Sequence, residues 1–275
     1  MVCSNILGGN IPVIAWFSCG ATSAVACKLA LGKYSNVRVV YIDTHSGHSD
    51  NLRFIRDCED WYGVNIEVRD NPAWANVSDV ISRTGFINGP FGAACTLHLK
   101  KEVRYFLEKE LVQWAGQVWG FEFTRHEINR AIRLQEQYPS IKPLFPLIEE
   151  GLTKSDCLAI LRSQGIELPV MYRMGYHNNN CIGCVKGGIA YWNKIRRDFP
   201  DVFLGMAQLE RRVGHTCLKD ENDLLFLDEL DPSRGRGLAP LVPSCSLMCQ
   251  LDFDNLMSPR TEKILAGGES VYINQ

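Results

Sequence analysis

The chain has 275 residues, of which 46% are hydrophobic and 22% are charged, and its formal net charge is -2. A chain of this length can bury one large core, or a core with an appended region. It has no run of about eighteen apolar residues and no basic N-terminal stretch before an apolar segment, so we expect neither a membrane span nor a signal peptide. We therefore expect a cytoplasmic protein without a membrane partner.

Apolar runs alternate with helical patterns along most of the chain. The predicted strands are 13–17, 37–42, 64–69 and 117–121. The predicted helices are 22–33, 50–62, 95–114, 126–137, 153–164, 188–198 and 200–213. This alternation is typical of βαβ units, so we expect an α/β fold with a doubly wound parallel sheet. We assign residues 1–150 to this domain and residues 151–275 to a helical, partly irregular extension that contains cysteines.

The first predicted strand ends in a loop of small and hydroxyl-bearing residues. The loop consists of Ser18, Cys19, Gly20, Ala21, Thr22 and Ser23. Backbone N–H groups at such a junction point outward at the positive end of the helix dipole, which suits the loop to bind a phosphate. An ordinary strand-to-helix turn would have the same spacing.

The second predicted strand ends in Asp43 and Thr44. Ligands of open α/β sheets bind beyond the carboxyl ends of the strands, so these two residues and the loop would frame a nucleotide pocket. The alternative is that Asp43 only caps the turn before the next helix.

The 11 cysteines indicate thiols that pack, react or bind metal, because a chain without a signal peptide is not expected to form a disulfide framework. Cys27, Cys58 and Cys157 fall within helical patterns, where a free cysteine packs as a small hydrophobic residue. We assign no function to these three.

Two close cysteine pairs lie in irregular segments, Cys181 with Cys184 and Cys245 with Cys249. A turn brings both sulfurs of such a pair onto one centre, so four thiolates could hold zinc or an iron-sulfur cluster. A redox dithiol is the alternative for the first pair. Cys95 opens a predicted helix, where the dipole favours the thiolate, and is a candidate nucleophile or an alternative metal ligand.

Several motifs resemble the PAPS reductase-like family of the adenine nucleotide alpha-hydrolase superfamily, over roughly residues 12 to 197. Residues 18–23 resemble the pyrophosphate-binding PP-loop, usually Ser-Gly-Gly-x-Asp-Ser. The run from Cys95 to Lys100 resembles the Cys-Thr-x-x-Leu-Lys element. Gly120, Glu127 and Arg130 resemble the Gly…Glu-x-x-Arg element, and the Cys181 pair lies where the family has its cysteine pair.

The chain also departs from these motifs. In the loop, Cys19 replaces a glycine, Ala21 takes the lysine position and Thr22 takes the aspartate position. Ala94 precedes Cys95, where cluster-containing reductases have a second cysteine, and the reductase Glu-Cys-Gly-Leu-His tail does not occur.

The resemblance implies an adenine nucleotide, ATP with Mg²⁺, bound by the loop together with Asp43, Thr44, Gly120 and Glu127. It implies catalytic roles for Cys95, Lys100 and Arg130, the last two supplying positive charge to the phosphates. The expected activity is adenylation-linked sulfur transfer through a cysteine-bound cluster or metal. A sulfur donor such as a cysteine desulfurase and a nucleic-acid acceptor are possible partners.

Two other functions stay open. One is reduction of an adenylyl sulfate to sulfite, which does not cleave ATP and so does not need the aspartate that Thr22 replaces. The other is a non-catalytic protein that binds nucleotide or nucleic acid, in which zinc held by cysteines only staples the C-terminal segment to the core.

Overall fold

The structure, a computed structural model, describes residues 11–89, 92–220, 223–242 and 266–267. The strands in chain order are β1 (Val13–Phe17), β2 (Val37–Ile42), β3 (Glu67–Arg69), β4 (Asn88–Gly89), β5 (Gly92–Ala93), β6 (Gly116–Val118), β7 (Pro143–Leu144), β8 (Leu218–Asp220) and β9 (Asp223–Leu225). The helices are α1 (Ala21–Lys33), α2 (Asn51–Tyr62), α3 (Val77–Thr84), α4 (Ala94–Thr96), α5 (Glu102–Leu111), α6 (Arg125–Gln137), α7 (Pro146–Glu149), α8 (Lys154–Ser163), α9 (Val170–Arg173), α10 (Ile189–Asp198) and α11 (Pro200–Val213). A π-helical turn (Leu97–Lys101) joins α4 to α5, and a 3-10 turn (Pro139–Ile141) precedes β7.

A wholly parallel sheet has the strand order β3-β2-β1-β6-β7. The order runs outward from β1 in both directions, so the sheet is doubly wound, as the sequence predicts. Two short antiparallel pairs, β4 with β5 and β8 with β9, lie outside it.

The central strand β1 is buried along its whole length. Successive side chains of a strand point to opposite faces, so Val13, Ala15 and Phe17 pack on one side while Ile14 and Trp16 pack on the other. This is why the strand reads as a continuous apolar run, as strands covered on both faces do.

Helix α8 packs on α1 and belongs to the core on the side of the sheet where Val13, Ala15 and Phe17 lie. Its Cys157 and Leu161 are fully buried there, together with Ile166 and Leu168. The sequence-based division at residue 150 is thus not a boundary in packing, because residues 154–168 complete the sheet's core. A second core is formed mainly by α3, α10 and α11 around Trp192. Its buried residues come from residues 77–99 and 171–242.

The predicted helices and strands are largely confirmed, with several differences. The strand expected over 117–121 is β6 (Gly116–Val118), and β7, the fifth strand of the sheet, lies in a stretch for which no strand was predicted. The helix expected over 95–114 is divided into α4, the π-helical turn and α5, and it ends at Leu111. The strand expected over 64–69 is shorter, and α3 lies in a stretch for which no helix was predicted. No helix of the described ranges is long and apolar enough to cross a membrane.

The three cysteines expected to pack in helices do so. Cys27, Cys58 and Cys157 are each 0% exposed. Burial raises the pKa of all three thiols, to about 12 for Cys58 and Cys157. They are therefore protonated packing residues, as predicted.

The largely buried carboxylate of Asp50 links the start of α2 to the segment that carries α9. Asp50 accepts hydrogen bonds from Arg53 Nε at 2.7 Å and from the backbone N–H of Val170 at 2.8 Å. The bond from Arg53 is the main cause of an Asp50 pKa below 3.8. We expect Asp50→Asn to lower the free energy of unfolding by roughly 1–2 kcal/mol at neutral pH, because hydrogen bonds to a charged group are lost.

The sign of the pH dependence follows from the lowered pKa. Since the folded value lies below the unfolded one, the stabilisation by Asp50 is present above pH about 4 and is lost as the pH falls through the lowered value. Urea unfolding should therefore show the gap between wild type and variant shrinking in acid. Asp60→Asn, on an exposed site of the same helix, is the control and should cost little. A gap that persists unchanged in acid would contradict the assignment.

Candidate functional site

A cleft opens at the carboxyl edge of the sheet, where β1, β2 and β6 end. Its lining comes from these strand ends, from the π-helical turn and from the segment before the first cysteine pair. The lining residues are Trp16, Phe17, Ser18, Gly20, Thr22, Ser23, Val40, Tyr41, Ile42, Thr44, Gly47, Asn51, Lys100, Trp119, Gly120, Phe121, Tyr172, Asn178, Asn179, Asn180 and Cys181.

The Ser23 hydroxyl organises the loop between β1 and α1. Its Oγ accepts from the N–H groups of Ser18 at 3.0 Å and Gly20 at 3.3 Å, and donates to Gly20 O at 2.9 Å. A helix cannot satisfy the N–H groups of its own first turn, and here Thr22 and Ser23, two residues of that turn, line the cleft. The loop is thus held in a shape that offers backbone donors to an anion.

Two residues of the loop, Cys19 and Ala21, are 0% exposed and do not line the cleft. Cys19 has φ +58°, in the left-handed region that glycine adopts more readily. This is the position at which the PP-loop motif has a glycine. Burial raises the pKa of the Cys19 thiol, so it is a protonated packing group.

Gly120 lets the loop after β6 approach the first turn of α1. A Cβ on Gly120 would lie 2.8 Å from both the Cα and the N of Ser23. Such a contact does not fit without movement of the backbone, so this glycine fixes one wall of the cleft directly against the loop.

A segment distant in sequence clamps the loop from the other side. The hydroxyl of Tyr172 accepts from Ala21 N at 3.2 Å, and Asn179 Nδ2 donates to Cys19 O at 2.7 Å and to Asn51 Oδ1 at 2.8 Å. Burial raises the pKa of Tyr172 to about 12, so the phenol stays protonated at neutral pH.

We expect Tyr172→Phe to weaken nucleotide binding by about tenfold. The substitution leaves the Ala21 N–H without its acceptor, and an unmade buried hydrogen bond costs about 1–3 kcal/mol. Adding ATP stepwise and following the tryptophan fluorescence of the protein would measure the change in affinity. Tyr138→Phe, at the end of α6, is the matched control and should bind as wild type does. Equal affinities of all three proteins would contradict the clamp.

The inner half of the cleft is apolar. Trp16, Trp119 and Phe121 form its wall, and the two indole rings lie 6.4 Å apart. Trp16 is fixed by a 2.8 Å hydrogen bond from its Nε1 to the buried Gln117 Oε1. The cleft therefore pairs an aromatic pocket with a hydroxyl- and amide-lined mouth, an arrangement suited to a base at one end and phosphate at the other.

Thr44 and Cys181 meet at the mouth. The Oγ1 of Thr44 lies 3.0 Å from Cys181 Sγ, and Ile182 N donates to Ser46 O at 2.8 Å. The segment after β2 thus holds the first cysteine pair beside the loop. Cys181 is the cysteine that lines the cleft among the described residues, whereas Cys184 is buried in the second core.

The other predicted nucleotide ligand after β2 faces elsewhere. Asp43 accepts from the backbone N–H of His45 at 2.8 Å, and its carboxylate lies 3.5 Å from the His45 ring. Asp43 does not line the cleft. The capping alternative describes these contacts better than a direct nucleotide contact does.

Glu127 and Arg130 form a buried ion pair on α6. Arg130 Nη1 donates to Glu127 Oε1 at 2.7 Å and Oε2 at 2.9 Å, and the guanidinium stacks 4.6 Å from the centre of the Phe121 ring. Neither charged residue lines the cleft, so the structure does not place Arg130 at the phosphates. The pair instead supports Phe121, which does line it.

Lys100 lines the cleft from the π-helical turn, as a source of positive charge would have to. Cys95 lies one turn earlier, partly buried against the second core, and does not line the cleft. The structure therefore places Lys100 in the lining of the cleft and leaves Cys95 outside that lining.

Within the ranges that the structure describes, no three His, Cys, Asp or Glu side chains come together as a metal site. Cys181 and Cys184 would supply two ligands. Cys245 and Cys249, the other predicted ligands, lie outside the described residues. The proposal of four cysteine ligands thus remains a prediction, and Cys95 is not grouped with Cys181 and Cys184 in a three-ligand site.

Sequence reasoning missed Tyr172 and the run Asn178–Asn180, which complete the mouth of the cleft. The signal for the asparagines was the polar triplet directly before Cys181. For Tyr172 the sequence holds no comparable signal, because its partner Ala21 lies 151 positions away.

A doubly wound parallel sheet with a cleft at its carboxyl edge defines an α/β protein of the type in which ligands bind beyond the ends of the strands. The family model described as the phosphoadenosine phosphosulfate reductase domain matches residues 12–187, and the chain belongs to this family. Membership places it among enzymes of sulfur-related nucleotide chemistry.

Other similarities are more distant. The chain is 26% identical over 204 residues to an uncharacterized protein of Methanocaldococcus jannaschii, covering 70% of this chain but 40% of that protein. Phosphoadenylyl-sulfate reductase from Candida auris, in a phosphate complex, aligns with a TM-score of 0.46 and 14% identity over 62% of this chain and 82% of that one. The U34-tRNA thiolase NcsA of Methanococcus maripaludis, with its 4Fe-4S cluster, aligns at 0.39 and 13% identity over 86% and 84%.

Proposed function

We propose that the chain binds ATP with Mg²⁺ in the cleft and catalyses adenylation-linked sulfur transfer at Cys181. One observation carries the proposal: a single cleft joins the loop between β1 and α1, an aromatic pocket and a cysteine thiol. The family match supports sulfur-related nucleotide chemistry, and the lining of the cleft supports the choice of residues.

The adenine base would lie against the aromatic wall that Trp16, Trp119 and Phe121 form, with its phosphates at the loop. First-turn N–H groups of α1 and the ammonium of Lys100 would stabilise charge that develops on the departing pyrophosphate. Lys100 would thereby supply the charge that Ala21, at the motif's lysine position, does not.

The overall reaction balances without a net redox change when sulfur arrives as hydrosulfide. An oxygen of the acceptor attacks the α-phosphorus of ATP and releases pyrophosphate. Hydrosulfide then displaces AMP, which leaves with the acceptor's oxygen, and the acceptor keeps the sulfur. A cysteine desulfurase is a suitable donor class, but its persulfide sulfur must take up two electrons from thiols before release as hydrosulfide.

The cysteine residues fit a resident metal only in part. Cys181 and Cys184 present two sulfurs across a turn at Gly183, which has φ +72°. The described residues add no third ligand. We therefore derive no step through a cluster or zinc. Cys181 is assigned the thiol that would accept the sulfane sulfur of the donor's persulfide, leaving the donor as a thiolate, and a dithiol would then reduce the Cys181 persulfide and release hydrosulfide beside the bound nucleotide.

The test is turnover with two substrates. Protein purified without air would be given ATP with hydrosulfide and unfractionated tRNA, and separately phosphoadenylyl sulfate with a dithiol. AMP, pyrophosphate and thiolated RNA from the first mixture would support the proposal. Sulfite from the second would replace it with reduction, and nucleotide binding without turnover in either would leave a non-catalytic binding protein.

A further inference from the structure

A basic groove lies between α10 and the loop that follows β9, outside the cleft. Its lining includes Asn193, Lys194 and Arg197 of the helix and Arg234, Gly235 and Arg236 of the loop. We propose that this groove binds the phosphodiester backbone of a nucleic acid, the sulfur acceptor of the reaction proposed above. The binding itself does not depend on the proposed function; only the acceptor role does.

The groove is built by fixed contacts between helix and loop. Asn193 Nδ2 donates to the carbonyl oxygens of Asp231 at 2.9 Å and Arg234 at 2.8 Å. Gly235, at φ +71°, lies so close to the helix that a Cβ there would be 3.0 Å from Ala190 Cα. The loop is therefore held against α10, so its cations need little ordering on binding.

Cations stand on both walls. Lys194 and Arg197 come from one face of α10, while Arg234 and Arg236 come from the loop. No acidic residue is among the described residues that line the groove. The net charge of the whole chain is only -2, so this local concentration is a departure from the average surface.

The four cations differ in their partners. Lys194 pairs with Asp198 at 2.8 Å, and Arg234 pairs with Asp220 at 2.7 Å. Arg197 and Arg236 make no ion pair with any residue in the described part of the chain. Arginine binds phosphate in a bidentate manner, so these two are the available phosphate contacts.

Helix α10 connects the groove to the segment that contains Cys181, the thiol at the cleft. Tyr191, next to Ala190 on α10, accepts from Cys184 N at 2.9 Å and donates to Cys181 O at 3.2 Å. One face of α10 thus holds the cysteine pair while another face lines the groove. A polymer held by its backbone on α10 could extend toward Cys181, which a free anion could not do.

The test measures direct binding of fluorescent tRNA and of a random-sequence DNA duplex to the full chain without ATP. The test variant is Arg197→Glu with Arg236→Glu. The control, Arg56→Glu with Lys109→Glu, makes the same change in net charge at exposed sites on α2 and α5. ATP affinity of every protein is measured in parallel, so that loss of the cleft and loss of the groove are distinguished.

We expect the groove variant to bind at least about tenfold more weakly at physiological salt, with a salt slope lower by about 1.5 because two phosphate contacts are lost. The control should retain binding, and preference for tRNA or duplex DNA identifies the polymer. Equal weakening in both variants, no binding at about 50 mM salt, or binding only to anionic lipid vesicles would each overturn the inference.

Discussion

With sulfur supplied as a protein persulfide together with a dithiol, replacing Cys181 by serine is expected to lower sulfur transfer by about a thousandfold or more, while ATP affinity changes little. Cys181 is the described cysteine that lines the cleft, where its Sγ lies 3.0 Å from Thr44 Oγ1. A serine hydroxyl occupies a similar volume but cannot carry sulfur or form a thiolate at neutral pH. Formation of thiolated product and ATP titration would be measured on the same preparation.

Cys58→Ala provides the control for this substitution. That thiol is also free but is 0% exposed on α2, away from the cleft lining, so its loss should affect stability and not turnover. If Cys181→Ser turned over at the wild-type rate, the thiol of the proposed reaction would have to be sought elsewhere. If it instead lost ATP binding, Cys181 would be a structural residue of the cleft.

Gly120→Ala is expected to weaken ATP binding by about a hundredfold, the effect of a displacement near 1 Å at a positioned site. The new Cβ would lie 2.8 Å from Ser23 N and Cα, so either the loop after β6 or the first turn of α1 must move. Movement of the first turn of α1 would displace the backbone donors, and movement of the loop after β6 would displace the aromatic wall that contains Trp119 and Phe121. Isothermal calorimetry with ATP would report the affinity.

Gly32→Ala is a matched control on the same helix. Its added Cβ meets no atom within 4 Å, so the variant should bind ATP as wild type does. It should also unfold at slightly higher denaturant, because alanine favours a helix interior over glycine by about 0.5–1 kcal/mol. Wild-type ATP affinity in Gly120→Ala would contradict the close approach on which the cleft depends.

The centre of the sheet was predictable because β1 is buried along its whole length and β2 is mostly apolar, with its three consecutive residues Val39, Val40 and Tyr41 buried. The exceptions are short elements: α3 covers only eight residues, of which Val77, Val80 and Ile81 are buried. The π-helical turn was not predictable either, since it covers only five residues, too few to show a period of their own. The π-helical turn nonetheless matters for the candidate site, because it contains Lys100, which lines the cleft.

The candidate site was predictable where a motif is local. Ser18, Gly20, Thr22 and Ser23 lie within six residues and Gly120 follows a strand end, and all of them line the cleft. Arg130 was placed at the phosphates from its motif alone. Its buried partner Glu127 and the Phe121 ring, which decide where the guanidinium lies, become apparent only in three dimensions.

The bond from Asn179 Nδ2 to Cys19 O spans 160 positions of the chain. Contacts of such long sequence separation form late in folding, because the entropy of closing the intervening loop must be lost first. During synthesis, the β1 loop therefore leaves the ribosome long before the residues that clamp it. The cleft is expected to mature only after most of the chain has been made, and nucleotide that binds it would then stabilise the completed fold by mass action.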